Sequence, residues 1–166
     1  VVGLEPSCLL GLRDEFLSLH PGVESAELAM NAFLLEDFLA HEHEAGRLAL
    51  KLKPLREKKA LVHGHCHQKA FDAMPAVRKV LALVPGLEVE AVESSCCGLA
   101  GGFGYGAPQF DVCMKMAELS LLPRVRKAAE DELIVADGTS CRHQIRDGAG
   151  RKAIHVARVL ERALGS

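Results

Sequence analysis

Leu87-Glu88-Val89-Glu90-Ala91-Val92-Glu93-Ser94-Ser95-Cys96-Cys97-Gly98-Leu99-Ala100-Gly101-Gly102-Phe103-Gly104-Tyr105-Gly106 is the stretch that decides how this chain reads. Its opening, Leu87 to Val92, alternates apolar and acidic residues as a half-buried strand does. Two adjacent cysteines and five glycines follow. Neighbouring side chains diverge on a strand, so paired thiols converge on one object only at a bend. Glycine supplies bends, because without Cβ it enters positive φ and lets backbone approach a bulky group. The stretch therefore predicts a strand that delivers two thiols into a glycine-rich loop.

Working outward, the same arrangement recurs. Val1 to Leu4 reads as a short strand that turns at Glu5-Pro6-Ser7-Cys8. Leu9, Leu12, Phe16 and Leu19 predict a helix, stopped at His20-Pro21-Gly22. A second helix, capped by Ser25 and running to about His43, carries the stripe Leu28, Ala32, Leu35 and Leu39. Leu48 to Leu55 reads as an edge strand or an extended linker. The strand Ala60 to His63 leads into Gly64-His65-Cys66-His67-Gln68-Lys69, and Pro75 opens a helix burying Val77, Val80, Leu81 and Val84. A helix from Gln109 to Leu122 presents Phe110, Met114, Ala117 and Leu121. Leu133 to Ala136 is a strand leading to Asp137-Gly138-Thr139-Ser140-Cys141, and a terminal helix from about Ala149 buries Ile154, Ala157, Leu160 and Leu164.

Strands alternating with helices predict an α/β fold: three layers, with a mostly parallel sheet of about four strands and helices on both faces. In such a sheet Cys8, Cys66, Cys96, Cys97 and Cys141 all lie in loops at the carboxyl edge, where open α/β folds bind ligands. Cys113 falls mid-helix and reads as a small buried hydrophobe.

The 166 residues are 49% hydrophobic and 25% charged, which suits a soluble globular chain. With 20 basic and 22 acidic side chains the net charge is -2, so no bulk field recruits nucleic acid or an anionic membrane. No stretch approaches the roughly 18 apolar residues of a membrane span. Six cysteines in a chain of this size and apolar content point to reduced or metal-bound thiols in a reducing compartment rather than to a disulfide scaffold. The abrupt start, with neither an initiator methionine nor a signal peptide, is what a piece of a longer protein would show.

Thiolate-rich sites select zinc or iron–sulfur iron over magnesium or calcium. Zinc takes four ligands, whereas five thiols in glycine-rich loops suit a larger, multi-iron object. His63, His65 and His67 alternate around Cys66 and share a face if that segment is extended; His67 then replaces a thiolate or hydrogen-bonds a sulfur. Lys69 and Arg142 are placed to offset thiolate charge. Tyr105, the one tyrosine, is placed to pack over the site or donate a hydrogen bond to it. A metal-independent thiol enzyme is a competing reading, with Cys66 beside His65 and His67, or Cys141 with His143, as a thiolate–imidazolium pair. A zinc-stabilised structural or interaction domain is another. The glycines do not spell a dinucleotide fingerprint, lacking both its Gly-x-Gly-x-x-Gly spacing and the acidic residue about twenty positions on.

His65-Cys66-His67-Gln68-Lys69, Cys96-Cys97-Gly98 and Ser140-Cys141 together resemble the cysteine-rich CCG domain. That domain occurs in the heterodisulfide reductase B subunit and in iron–sulfur subunits or regions of glycolate, lactate and glycerol-3-phosphate dehydrogenases. With Glu5-Pro6-Ser7-Cys8 and Gly138-Thr139-Ser140-Cys141-Arg142 added, the likeness is to the C-terminal region of FAD-linked 2-hydroxyacid dehydrogenases, and it spans Val1 to about Ile145. The resemblance implies that residues 1–166 form one such domain, the second of a tandem pair. It implies an iron–sulfur cluster, 4Fe-4S in cubane or non-cubane form, with Cys66, Cys96, Cys97 and Cys141 as motif ligands and Cys8 as the cysteine preceding the second motif; zinc is the alternative. It further implies FAD on another domain or subunit, an FAD-linked dehydrogenase and a first CCG domain as partners, and electrons passed from a 2-hydroxy acid of lactate or glycolate type to a quinone or a thiol–disulfide acceptor. The chain alone is not expected to act on the hydroxy acid. The implied location is the cytoplasm, or the inner face of the membrane through partners. One position departs from the family pattern: its closing Cys-x-x-Cys is Gly138-Thr139-Ser140-Cys141 here, with glycine first.

Overall fold

A computed structural model describes residues 1–94 and 96–165; Ser95, inside the paired-cysteine stretch, and Ser166 lie outside the described residues. The N-terminal part places β1 (Val2–Gly3), α1 (Pro6–Gly11), α2 (Glu15–Leu19) and α3 (Val23–Met30) before β2 (Phe33–Leu34) and α4 (Leu35–Glu44). An extended segment leads to β3 (Lys59–His63), α5 (Cys66–Ala70), α6 (Met74–Ala82) and β4 (Glu88–Ala91). Two 3-10 turns, Phe103–Tyr105 and Ala107–Gln109, precede α7 (Phe110–Glu118) and α8 (Leu121–Arg126). The chain finishes with β5 (Leu133–Ala136), α9 (Thr139–Ala149), β6 (Ala153–Ile154) and α10 (Val156–Leu164).

The main sheet has four parallel strands in the order β4-β3-β5-β6. Leu61 pairs with Glu90 on one side and Ile134 on the other. Alternation along the strands feeds two cores. Ala60, Val62, Leu133 and Val135 meet Val77, Val80 and Leu81 of α6 and Val156, Val159 and Leu160 of α10. Leu61, Ile134 and Ala136 meet Leu121, Val125 and Ile145 on the opposite face. The three-layer α/β expectation therefore holds. Strand β5, apolar throughout, is buried on both faces as a central parallel strand must be. Strand β4 keeps Glu88 and Glu90 exposed, and these charges guard the sheet edge.

The order also sets the position of the site. The chain runs from β3 outward to β4, then returns across β3 to β5. Strands β3 and β5 thus flank the point where the winding reverses, and ligands of open α/β sheets bind at the carboxyl side of that point.

Several expectations need correction. Val2–Gly3 does not join the main sheet; it pairs in parallel with Phe33–Leu34 as a separate ribbon over Leu9, Leu10, Ala32 and Ala73. The helix expected from Ser25 to His43 is interrupted there, because Asn31 ends α3 by donating its side-chain amide to the Glu27 carbonyl at 2.8 Å. Leu19, expected on a buried face, is exposed in the short α2, and Phe110 and Leu164 are exposed too. The terminal helix begins at Val156 rather than near Ala149. Gly150, left-handed at φ 66°, closes α9, and Ala153–Ile154 then pairs with Ile134 and Val135. A two-residue strand is too short for periodicity to register. Leu48 to Leu55 is the extended linker.

Candidate functional site

Three loops at the carboxyl edge carry the chemistry. After β3, the segment expected to stay extended turns instead into α5. His65 is its N-cap: Nδ1 accepts the His67 N–H at 3.2 Å, while the His65 N–H donates to Gln68 Oε1 at 2.9 Å. Cys66 is therefore the first residue of a helix, exposed, and its Sγ lies 3.8 Å from Nδ1 of both His65 and His67. The rings of His65 and His67 stack at 5.2 Å. His63 does not share their face. It is buried at the end of β3, with Nδ1 at 2.8 Å from the Ser94 hydroxyl and Nε2 without a hydrogen-bond partner.

After β4, the paired cysteines sit at the predicted bend. Gly98 has φ 88°, and a Cβ there would stand 2.3 Å from the Cys113 carbonyl oxygen, so the loop lies directly on α7 and only glycine fits. Its N–H donates to Cys96 Sγ at 3.3 Å. Gly98→Ala is expected to cost about 1–3 kcal/mol from the backbone conformation alone, with the clash adding to it; urea unfolding measures the loss.

After β5, Asp137 and Gly138 lead into α9, and Cys141 is buried in its first turn. The Cys97 thiol is held well below its ordinary range by a hydrogen bond from Cys141. Burial opposes this, while His63 and the Leu99 N–H reinforce it. Cys141 correspondingly retains its proton, through that bond, burial and the charges of Cys97, Cys66 and Cys96. Burial, with Cys97 and Cys66 nearby, also raises Cys96 against the Gly98 N–H. Lys69 bonds the Ser94 carbonyl, with the Ser94 hydroxyl at 3.3 Å. Burial lowers its pKa, and Cys141, Cys66, Cys96 and Cys97 all pull it back up. One amine thus lies in the field of four thiols.

Cys66, Cys96 and Cys97 lie close enough for their charge to raise Cys141, while the thiol-bearing set whose ligand atoms gather within 4.8 Å of one another among the described residues is His65, Cys66 and His67. Cys8 is exposed on α1, which packs on α5. Cys113 is buried against Gly104, as its mid-helix position suggested. Tyr105 is exposed, and its hydroxyl meets His143 Nδ1 at 2.9 Å instead of a sulfur. Arg142 is occupied with the Ala136 and Asp137 carbonyls and the Thr139 hydroxyl, bracing the β5–α9 turn rather than offsetting thiolates.

Sequence reading missed the buried support. Gln68 bridges two loops: its Nε2 donates to Asp137 Oδ2 at 2.8 Å, and Asp137 Oδ1 accepts the Val156 N–H at 3.0 Å. His155 caps α10 through Nδ1 and donates Nε2–H to the Leu4 carbonyl at 2.8 Å. Glu36 lies beside Asp137 and His155, fully buried, with both carboxyl oxygens unpartnered. Both imidazole nitrogens are already engaged, so this trio is a buried pair of carboxyl groups beside an occupied imidazole rather than a cation site. The Glu5 carboxylate accepts from the Thr139 N–H at 2.9 Å and hydroxyl at 2.8 Å, fastening the N-terminal segment to α9. None of these partners shares a local pattern, so no sequence signal marks them.

No family model matches the chain, and no solved structure matches it. Among curated proteins it is 27% identical over 164 residues to the C subunit of anaerobic glycerol-3-phosphate dehydrogenase from Escherichia coli K12, covering 99% of this chain and 40% of that protein. It is 28% identical over 161 residues to D-2-hydroxyglutarate dehydrogenase of the same strain, and 25% identical over 169 residues to that of Pantoea ananatis. Each of those two matches covers 96% of this chain and 15% of the relative. The chain thus spans well under half the length of the relatives it matches. No helix among the described residues is long and apolar enough to cross a membrane.

Proposed function

We propose that the chain is the electron-transfer domain of a flavin-linked dehydrogenase, holding an iron–sulfur group on Cys66, Cys96, Cys97 and Cys141. What supports this is the placing of Cys66, Cys96, Cys97 and Cys141 on three loops at one edge of the parallel sheet, all four acting electrostatically on Lys69. An all-sulfur donor set fits iron–sulfur iron or zinc and not magnesium or calcium. Four thiols match the four cysteines that a 4Fe-4S cluster takes, and the CCG resemblance leaves cubane and non-cubane forms as the candidates. Kinship with two kinds of dehydrogenase favours the redox-active choice.

When bound, such a group accepts and releases electrons singly. The chain's own work is to hold it and set its field: Lys69 and the Gly98 N–H favour added negative charge, and the buried His63 and Cys97 keep water away. FAD and the substrate belong to a partner domain or subunit, with a first CCG domain between. The substrate class is a 2-hydroxy acid of lactate, glycolate or 2-hydroxyglutarate type, or glycerol 3-phosphate. The acceptor is a quinone or a thiol–disulfide couple, and the domain works in the cytoplasm or at the inner membrane face through its partners. Anaerobic reconstitution with iron and sulfide is expected to give a brown protein with visible absorption and an electron paramagnetic resonance signal on reduction. Protein that stays iron-free after reconstitution overturns the reading.

A second reading rests on Cys66, exposed and 3.8 Å from two imidazoles. A thiol enzyme built on it would lose activity on alkylation of that one cysteine while holding no metal.

A further inference from the structure

Helix α3 carries its apolar stripe on the outside. A helix turns about 100° per residue, so Val23, Ala26 and Met30 share one face. All three are exposed, Val23 at 76% and Met30 at 69%. The residues that α3 half-buries, Ser25, Leu28 and Ala29, lie on its opposite face. Leu19, 73% exposed at the end of α2, lines one shallow notch with Val23 across the Pro21-Gly22 turn. Neither α2 nor α3 has a fully buried residue, so this helical hairpin adds nothing to the cores beneath it. A surface helix ordinarily turns its apolar stripe inward and its charges outward. Here the stripe faces away from the domain.

The charges beside the stripe are of one sign. Glu24 and Glu27 flank it on α3, and no ion pair reaches either among the described residues. Asp14 and Glu15 add two carboxylates at the start of α2, and Arg13 is turned toward Asp37 at 3.9 Å. The hairpin also starts beside the thiol loops: Glu15 Oε1 lies 4.0 Å from Nε2 of His67, the residue after the exposed Cys66.

These features select among occupants. Acidic flanks repel an anionic lipid surface and a phosphate backbone. A second copy docked through the same face would set Glu24 and Glu27 against their own kind. A copy docked through its basic run, Lys51 to Lys59, would join opposite ends of the sheet, a head-to-tail contact that does not close. A different protein surface remains, one with an apolar groove rimmed by Lys or Arg. This chain accounts for 40% and 15% of the lengths of two relatives, so both carry further modules that could offer such a groove.

We propose that the α2–α3 hairpin is the docking surface for the flavin-bearing module, whose basic-rimmed apolar groove takes Leu19, Val23 and Met30. The partner then stands against the loop of Cys66, the exposed motif thiol on α5. The inference rests on the electron-transfer reading above.

The test replaces Val23 or, separately, Met30 with photoreactive p-benzoylphenylalanine in the dehydrogenase as it assembles in the cell. Cross-linked peptides are identified by mass, and iron and flavin are counted on the same preparation. Both probes are expected to join a flavin-bearing sequence outside residues 1–166, in a segment that holds Lys or Arg. In the Met30 probe background, E24K/E27K should cut the cross-linked yield about tenfold, since it turns attraction at the rim into repulsion. Raised salt should lower the yield of the unaltered flanks and not that of the reversed ones. Iron per chain should be the same throughout, because none of these residues touches a thiol loop. Cross-links between two copies of residues 1–166, cross-links to lipid or to no protein, a target segment without basic residues, or a yield indifferent to E24K/E27K each overturn the inference. With iron present, those results leave the proposed function standing. The expected cross-links on an assembly that holds no iron overturn the electron-transfer reading and leave the docking surface.

Discussion

Replacing Glu36 by glutamine is expected to make the domain more stable than the unaltered chain at pH 8 and no more stable at pH 5. Glu36 is fully buried and neither carboxyl oxygen has a hydrogen-bond partner, with His155 Nε2 standing 3.9 Å from Oε1. Burial, with Asp137 close by, raises its pKa from the usual carboxylate range to about 9. In the unfolded chain it ionises near 4.5. Between those values the unfolded state gives up a proton that the folded state keeps, so stability falls as pH rises through the window and levels off above it. The slope is at most about 1.4 kcal/mol per pH unit. Glutamine removes the slope at the cost of a buried amide, about 1–3 kcal/mol if left unpaired. The two stability curves should therefore cross between pH 5 and pH 8, as read by urea unfolding at several pH values. Parallel curves would show that Glu36 ionises inside the fold with a partner.

Cys97→Ser should abolish metal loading, whereas Cys8→Ser should leave it unchanged. Cys97 is buried in the core cluster, and Cys141 and His63 hold its thiol well below the ordinary range. A serine hydroxyl there offers a hard ligand of high pKa at the centre of a soft site. Iron and sulfide per chain should fall close to zero, with unfolding by urea little altered because the two side chains are of similar size. Cys8 is exposed on α1, so its removal should cost neither iron nor absorbance. Loss of iron on Cys8→Ser would restore a five-thiol set and revise the chain's N-terminal geometry.

The fold was legible where burial and periodicity coincide. Leu61, Val62, Ile134 and Val135 announced central strands because both faces of a parallel sheet are covered. Ala153–Ile154 was not legible, since two residues carry no period and tertiary pairing alone makes them a strand; the strand read at Val1 to Leu4 is present at Val2–Gly3 but pairs outside the main sheet. Reading cysteines after strands put Cys66, Cys96, Cys97 and Cys141 on loops at one sheet edge, which is where they lie. Cys8 follows a strand of the small ribbon rather than of the main sheet, and its helix α1 packs on α5, which carries Cys66. The buried links of Gln68, Asp137 and Glu36 were beyond reach for a different reason. Their partners stand far off in sequence, as Gln68 and Asp137 do across 69 positions.

The clip from His65 through Gln68 to Asp137 sets the spacing between the first and last sulfur-bearing loops with protein atoms alone. The ordering of those loops is thus completed when the chain folds rather than when metal arrives. A chelator should consequently strip this domain without melting it, in contrast to small zinc modules whose folding and metal binding are one event. The emptied protein should keep its circular dichroism and refill rapidly. For a carrier of electrons, a frame that does not rearrange between charge states keeps the reorganisation accompanying each transfer small.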